Sequence, residues 1–330
     1  GGPYKVFTPF WKKVRERSLN APLPAPESLP GPPSWPQSEA LPSWKLGAAM
    51  NRGAAIVAKH ASIGEARALQ RLHEFLSSRC ADYPTDRDRP DRDGTSRLAE
   101  HLTFGEISAR SIWHIGREAM AQGNPGAEAF VRQLVWRDFA WHLAFNTPEL
   151  LHDSWRPAWR DFPWRSDNPD AEKWRRGETG EPMVDAAMRE LYVTGRMHNR
   201  ARMLVASYLT KHLMTHWQVG AEWFAECLVD WDPAANAMGW QWAAGCGPDA
   251  SPYFRVFNPA GQAKKFDPDG TYQTRFLPAN DGLEPDAEDF YRAVPRSWGL
   301  DPDAPYPSQP IIELKAGRQR ALDAYKAFKA

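Results

Sequence analysis

Cysteine is scarce: Cys80, Cys227 and Cys246 lie far apart in 330 residues with no CxxC pair, so neither a disulfide framework nor a zinc site is indicated. That usage fits a reducing cytoplasm, which is the expected location, and no metal is expected. No run approaches the roughly 18 to 20 apolar residues of a membrane span, and the start, with Pro3, Lys5 and Pro9, does not resemble a signal peptide. No membrane partner is expected. Net charge is absent as well: 41 Lys and Arg balance 41 Asp and Glu, so any polyanion must be met by a local patch. Neither GxGxxG nor GxxxxGK[ST] occurs, so a nucleotide would not rest on a Rossmann or P-loop element, and any dinucleotide is held by helices. Convincing strand alternation is also missing.

What is present is an unusual stock of aromatic surface. Sixteen tryptophans, many beside Arg or Asp rather than in apolar runs, exceed what core filling requires. From Leu191 to Ala221 no acidic residue occurs while Arg196, Arg200, Arg202 and Lys211 do, which predicts a local basic patch.

Windows with apolar residues at i, i+3, i+4 and i+7 predict helices in ARALQRLHEFLSS, RLAEHLTFGEIS, AEAFVRQLVWRDFAWHLAF, VDAAMRELYVT, NRARMLVASYLTKHLM and AEWFAECLV. The predicted organisation is an interdomain linker region over 1–60, an all-α catalytic domain over 61–280, and a Pro- and Asp-rich tail with one last helix over 281–330. Eight prolines between Ala21 and Trp44 exclude regular structure there.

Three stretches carry chemistry. Asp93-Gly94-Thr95-Ser96-Arg97-Leu98 reads as a turn entering a helix, where hydroxyls and free first-turn N–H groups could hold a phosphate. In Gly195 to Met203, helical spacing puts Asn199 and Met203 on one face, with Arg200 and Arg202 to either side. Asn offers a donor and an acceptor to a base edge, Met a soft apolar surface, and Arg a fork for phosphate or carboxylate. Arg202 is the natural partner of Asp230 or Asp232. Between Asp230 and Trp242 the chain then concentrates carboxylates, Asn236, Trp240 and Trp242.

Together these residues resemble the DNA photolyase and cryptochrome family, most of all its class I cyclobutane pyrimidine dimer photolyases. The resemblance runs through TPF, GTSRL, LVWRDF, WRSDNP, GETGxPMVDAAMREL, GxMHNRARM, DWDPAAN, GWQW, PYFRVFNP and KFDPDG, in the family's order over nearly all of residues 1–280. It implies a photolyase-type helical FAD-binding domain with FAD folded into a U, and light-driven repair of dimers in DNA. Residues implied to contact FAD are Tyr83, Thr95, Ser96, Arg97, Leu98, Phe130, Arg137, Arg202, Asp230, Trp231 and Asp232, with Asn236 facing flavin N5. Trp240, Trp217 and Trp164 match the relay that photoreduces the flavin. Trp136 and Trp242 match the aromatic walls around the flipped dimer, and Asn199, Met203 and Gln133 fall at its bases. Arg87, Arg137, Arg200, Arg255 and Gln262 fall where the family touches DNA.

Enzymes of the family that repair (6-4) photoproducts have histidine at both the Asn199 and Met203 positions, because that chemistry needs an acid-base group and splitting a cyclobutane ring by electron transfer does not. Departures stand beside the agreement. Gln133 replaces a glutamate found in many dimer photolyases, Phe130 a tryptophan, and Ala99 a serine. The family's N-terminal α/β antenna domain would precede Pro3; it is a possible partner, and no folate or deazaflavin antenna is expected on these residues. A monomer is expected. The rivals are a cryptochrome-type photoreceptor without repair and a light-independent single-strand binding protein, the latter requiring a colourless preparation.

Overall fold

Helix signals in the sequence recur as mostly short helices in the computed structural model, which describes residues 2–249, 254–278 and 283–329. In chain order the helices are α1 Phe7–Val14, α2 Gly53–His60, α3 Glu65–Ser78, α4 Tyr83–Asp86, α5 Ala99–Thr103, α6 Ala109–Ala121, α7 Ala127–Asn146 and α8 Pro169–Arg175. They continue as α9 Pro182–Thr194, α10 Asn199–Ser207, α11 Trp217–Cys227, α12 Pro233–Ala244, α13 Pro259–Phe266, α14 Thr271–Phe276, α15 Pro285–Ala293 and α16 Leu314–Lys329. Among the described residues the only β pairing is an isolated bridge between Arg165 and Thr215. The all-α expectation therefore agrees with the architecture.

Local chemistry sets the boundaries that matter for function. Asp232 accepts the Ala235 N–H at 2.8 Å ahead of Pro233, so α12 starts immediately after the acidic pair. His198 and His216 do the same work for α10 and α11, each accepting through Nδ1 from the N–H two residues on. Gly195, at φ 66°, ends α9 in the left-handed region and turns the chain into α10. A Cβ on Gly220 would lie 2.0 Å from the Trp240 ring, so the glycine is what lets α11 lie against α12.

Two aromatic-rich cores fill the molecule. One holds Trp174, Trp217, Trp240, Tyr208 and Phe224 between α8–α12 and α16; the other holds Phe7, Phe75, Phe130, Phe139 and Leu143 between α1, α3, α6 and α7. Several expectations need correction. Residues 1–60 do not act only as a linker: α1 buries Phe7, Phe10 and Trp11, and Ile56 of α2 packs with Val193 and Phe290, leaving 15–52 as the exposed stretch. Even there, Leu41–Trp44 makes one 3-10 turn, with Trp44 Nε1 donating to Glu39. RLAEHLTFGEIS is not one helix, because Gly105 adopts φ 71° and Glu106 N–H returns to the His101 carbonyl at 2.8 Å, closing α5 after five residues. The helix predicted through Met214 passes at Tyr208 into a π-helical turn that ends at His212. The tail is anchored: Tyr306 donates to Asp185 at 2.6 Å, and Tyr325 of α16 stacks on Phe254 at 4.6 Å. The predicted boundary at 280 and Pro252-Tyr253 of PYFRVFNP lie outside the described residues.

Candidate active site

The four segments that carry most of the sequence-derived residues converge on one cavity of about 740 Å³, within the usual range for cofactor and ligand sites. Tyr83, Arg87, Thr95, Ser96, Arg97 and Leu98 line it from the α4–α5 region, and Phe130, Gln133, Trp136 and Arg137 from α7. Asn199, Arg202 and Met203 enter from α10, and Asp230, Trp231, Asp232, Asn236, Trp240 and Trp242 from α12 and the turn before it. Residues far apart in sequence thus share one space.

The acidic pair divides its labour. Arg202 Nη2 donates to both Asp230 oxygens, at 3.0 and 2.8 Å, while its Nε donates to the Met197 carbonyl. Asp232 is not Arg202's partner: one oxygen caps α12 and the other accepts Trp141 Nε1 at 2.8 Å, with Arg137 at 4.0 Å. Asn236 Nδ2 donates to the Ala221 carbonyl at 3.0 Å, which holds its amide against α11. Asn199 Nδ2 approaches Met203 Sδ at 3.8 Å, as their one-turn spacing requires. Gln133 accepts from Arg87 Nη2 at 3.4 Å and donates to the Ala129 carbonyl.

Thr95 and Ser96 lie in the loop ahead of α5 rather than on its first turn, because the helix begins only at Ala99. Arg97 stands there at φ 50° and pairs with Asp93 at 3.0 Å. Five of the sequence-derived residues do not line the cavity: Trp164, Trp217, Arg200, Arg255 and Gln262. Trp217 is buried in the core shared with Trp240, and Trp164 packs on that core with Nε1 donating to the Thr210 carbonyl at 3.1 Å. The His216 ring links them, 5.0 Å from Trp164 and 5.7 Å from Trp217. Trp240 sets its edge against Phe224 at 4.9 Å.

The acid-free stretch 191–221 is not a free basic patch. Arg196 forms a two-pronged pair with Glu100, Arg200 pairs with Asp88 at 2.8 Å and lies over Phe266, and Arg202 pairs with Asp230. Lys211 is buried and donates to the Arg255 carbonyl, and burial drives its pKa down to about 7. Each counter-charge or acceptor comes from a distant part of the chain, which local charge counting does not see. Arg255 remains exposed beside Phe257, and Gln262 is half-exposed on α13.

Sequence reasoning missed the polar floor of the cavity. Glu190 accepts from Tyr272 OH at 2.5 Å, and burial raises the pKa of both groups. His60 and His198 also reach the cavity. Burial lowers both, His198 to about 4, and its Nδ1 accepts from Arg200 N–H, so it is held neutral. Only long-range packing reveals these groups.

Comparison with known proteins agrees with this geometry. Residues 130–327 match the FAD-binding domain of DNA photolyase. The chain is 42% identical over its whole length to a deoxyribodipyrimidine photo-lyase of Agrobacterium fabrum, covering 70% of that protein. To the Escherichia coli deoxyribodipyrimidine photo-lyase it is 37% identical over 99% of its length, covering 68%. A solved class III photolyase of Agrobacterium tumefaciens superimposes with TM-score 0.88 at 42% identity, over all of this chain and 69% of that one. A Synechocystis cryptochrome gives TM-score 0.68 at 32% identity, over 80% of this chain and 56% of that one. Among these curated relatives the share spanned falls to 58%, in a protein of Alkalihalophilus pseudofirmus. The fold and cavity thus define a helical flavin-binding domain of the photolyase type. The chain belongs to the DNA photolyase family, within which the cryptochromes are its structural kin.

Proposed function

We propose that the chain binds FAD in the 740 Å³ cavity and repairs cyclobutane pyrimidine dimers in DNA under blue light. The observation that carries this is the meeting of two sets of residues in one space: Asp230, Arg202, Asn236 and Trp240 on the flavin side, and Trp136, Trp242, Asn199 and Met203 on the dimer side. The lining suits the cofactor: carboxylate and guanidinium groups are paired, hydroxyls of Thr95 and Ser96 stand beside Arg97 for phosphates, and aromatic faces flank the space.

When bound, FAD supplies the light-excited electron donor; the protein supplies placement and polarity. Photolyases are among the enzymes for which extruding the target base is the general rule, and a dimer, poorly stacked and poorly paired, costs little to extrude. Trp136 and Trp242 offer the ring faces on which it stacks. Asn199 meets base edges with a donor and an acceptor, and Met203 fills the remaining apolar contact. The two histidines at the cavity, held towards their neutral forms, provide no ready proton donor, which suits a reaction carried by an electron. Trp240, Trp217 and Trp164 are assigned to the outward path by which the cofactor is recharged. Arg87, Arg137, Arg255 and Gln262 are assigned to DNA; Arg200, engaged by Asp88, would have to exchange that partner to join them.

Repair of an oligonucleotide carrying one thymine cyclobutane dimer, with no repair of the same oligonucleotide carrying a (6-4) photoproduct, is the expected specificity; repair of the second lesion would overturn the role given to Asn199 and Met203. In the spectrum of the purified chain the flavin bands should stand alone, and a further antenna band would contradict the expectation that these residues hold none. Gln133 reaches the cavity with its oxygen turned to Arg87. Gln133→Glu is expected to raise the number of dimers split per absorbed photon, because a carboxyl at this place can bond the thymine. An unchanged or lower yield would remove Gln133 from the substrate site.

A further inference from the structure

Trp136, one of the two walls, is not held by α7 alone. Its ring lies flat on that of Phe7, with centroids 3.6 Å apart and planes 5° from parallel. The Arg132 guanidinium, one turn earlier on α7, stands 5.4 Å from the Phe7 ring centre. Phe139 meets both rings edge-on, Phe7 at 5.8 Å and Trp136 at 5.9 Å. Phe7 is fully buried at the first position of α1, yet it does not line the cavity. The segment carrying it is fastened to α7 through Tyr4 N–H, ahead of α1, on His142 at 3.0 Å and through Phe10 against Phe139 and His142 at 5.3 and 5.1 Å.

We propose that Phe7 is a positioning residue for lesion recognition, its stacked ring fixing the tilt of Trp136 and so the width of the slot between Trp136 and Trp242. This rests on the assignment of those two tryptophans to the dimer. An indole ring turns about a soft terminal torsion, so a partner pressed on one face decides how the other is presented. A wall set in advance saves ordering cost when the dimer binds.

The test compares binding of one oligonucleotide with and without a single thymine dimer, in the dark, on flavin-loaded protein. Phe7→Leu keeps the apolar volume and removes the ring; it is expected to lower the preference for the damaged strand about three- to tenfold, the range an aromatic stack is worth. Flavin content and affinity for undamaged DNA should stay as in the parent. Phe7→Tyr should restore the preference. Phe10→Leu, a change on the same helix away from Trp136, should weaken thermal stability without altering the preference, and Phe7→Met provides a second ring-free variant should the leucine protein fail to fold. Undiminished preference in the ring-free variants, or an equal loss in Phe10→Leu, would overturn the proposal while leaving the functional assignment standing. No preference in the parent protein would overturn the functional assignment first and the proposal with it.

Discussion

Asp230→Ala should yield a protein that has lost most of its flavin. Arg202 loses both carboxylate bonds, at 3.0 and 2.8 Å, and keeps only its bond to the Met197 carbonyl. A charged donor left without its acceptor costs about 2 kcal/mol, and the same amount taken from cofactor binding raises Kd by roughly 30-fold. The cost to folding is smaller, about 1 kcal/mol, because the Arg202 side chain is a quarter exposed, at 27%. Flavin stoichiometry after gel filtration and a thermal midpoint separate the two effects. Asp88→Ala is the matched control: it breaks the Arg200 pair at 2.8 Å outside the cavity, so flavin should be retained. Full flavin occupancy in Asp230→Ala would mean that the pair serves packing alone.

The second large effect concerns Trp240. Replacing it with phenylalanine should nearly abolish photoreduction of the oxidised flavin, while protein reduced chemically beforehand repairs dimers as the parent does. The substitution removes the first ring of the proposed outward path but leaves the proposed dimer walls, Trp136 and Trp242, in place. Some packing is lost as well, since Trp240 lies against Gly220 and Phe224; large-to-small core changes of this kind cost about 1–3 kcal/mol, which the chemically reduced control corrects for. Normal photoreduction in Trp240→Phe would remove the relay from the account. The outer steps, through the buried Trp217 and the half-buried Trp164, pass close to His216; Trp217→Phe and Trp164→Phe should each weaken photoreduction without touching repair by reduced protein.

How far the sequence foretold this depends on the range of the interactions involved. Asn199 and Met203 are one turn apart, so their shared face and their approach at 3.8 Å follow from helical spacing alone. Asp232 before Pro233 is likewise a local cap signal, although α12 itself went unread: beside its buried stripe of Ala234, Ala237, Trp240 and Ala244 it carries Ala235, Met238, Gly239 and Trp242, so apolar residues on the other face erase the amphipathic pattern. The 191–221 stretch shows the opposite failure. Its arginines look unopposed in sequence, yet Glu100, Asp88 and Asp230 neutralise them from about 30 to 110 positions away. The Glu190–Tyr272 bond spans 82 positions and carries no local mark. Phe7 fell within the stretch read as interdomain linker and carried no signal of its own; its stack on Trp136 is a product of tertiary packing.

The most direct measurement follows restored thymines in an oligonucleotide with one cyclobutane dimer, using protein whose bound flavin has been quantified by its spectrum and photoreduced, with a dark sample beside it. The proposed flavin and dimer sides of the cavity predict repair that requires light, needs reduced flavin and scales with flavin occupancy. Bound, photoreducible flavin with no restored thymines under blue light would contradict that account and favour a photoreceptor.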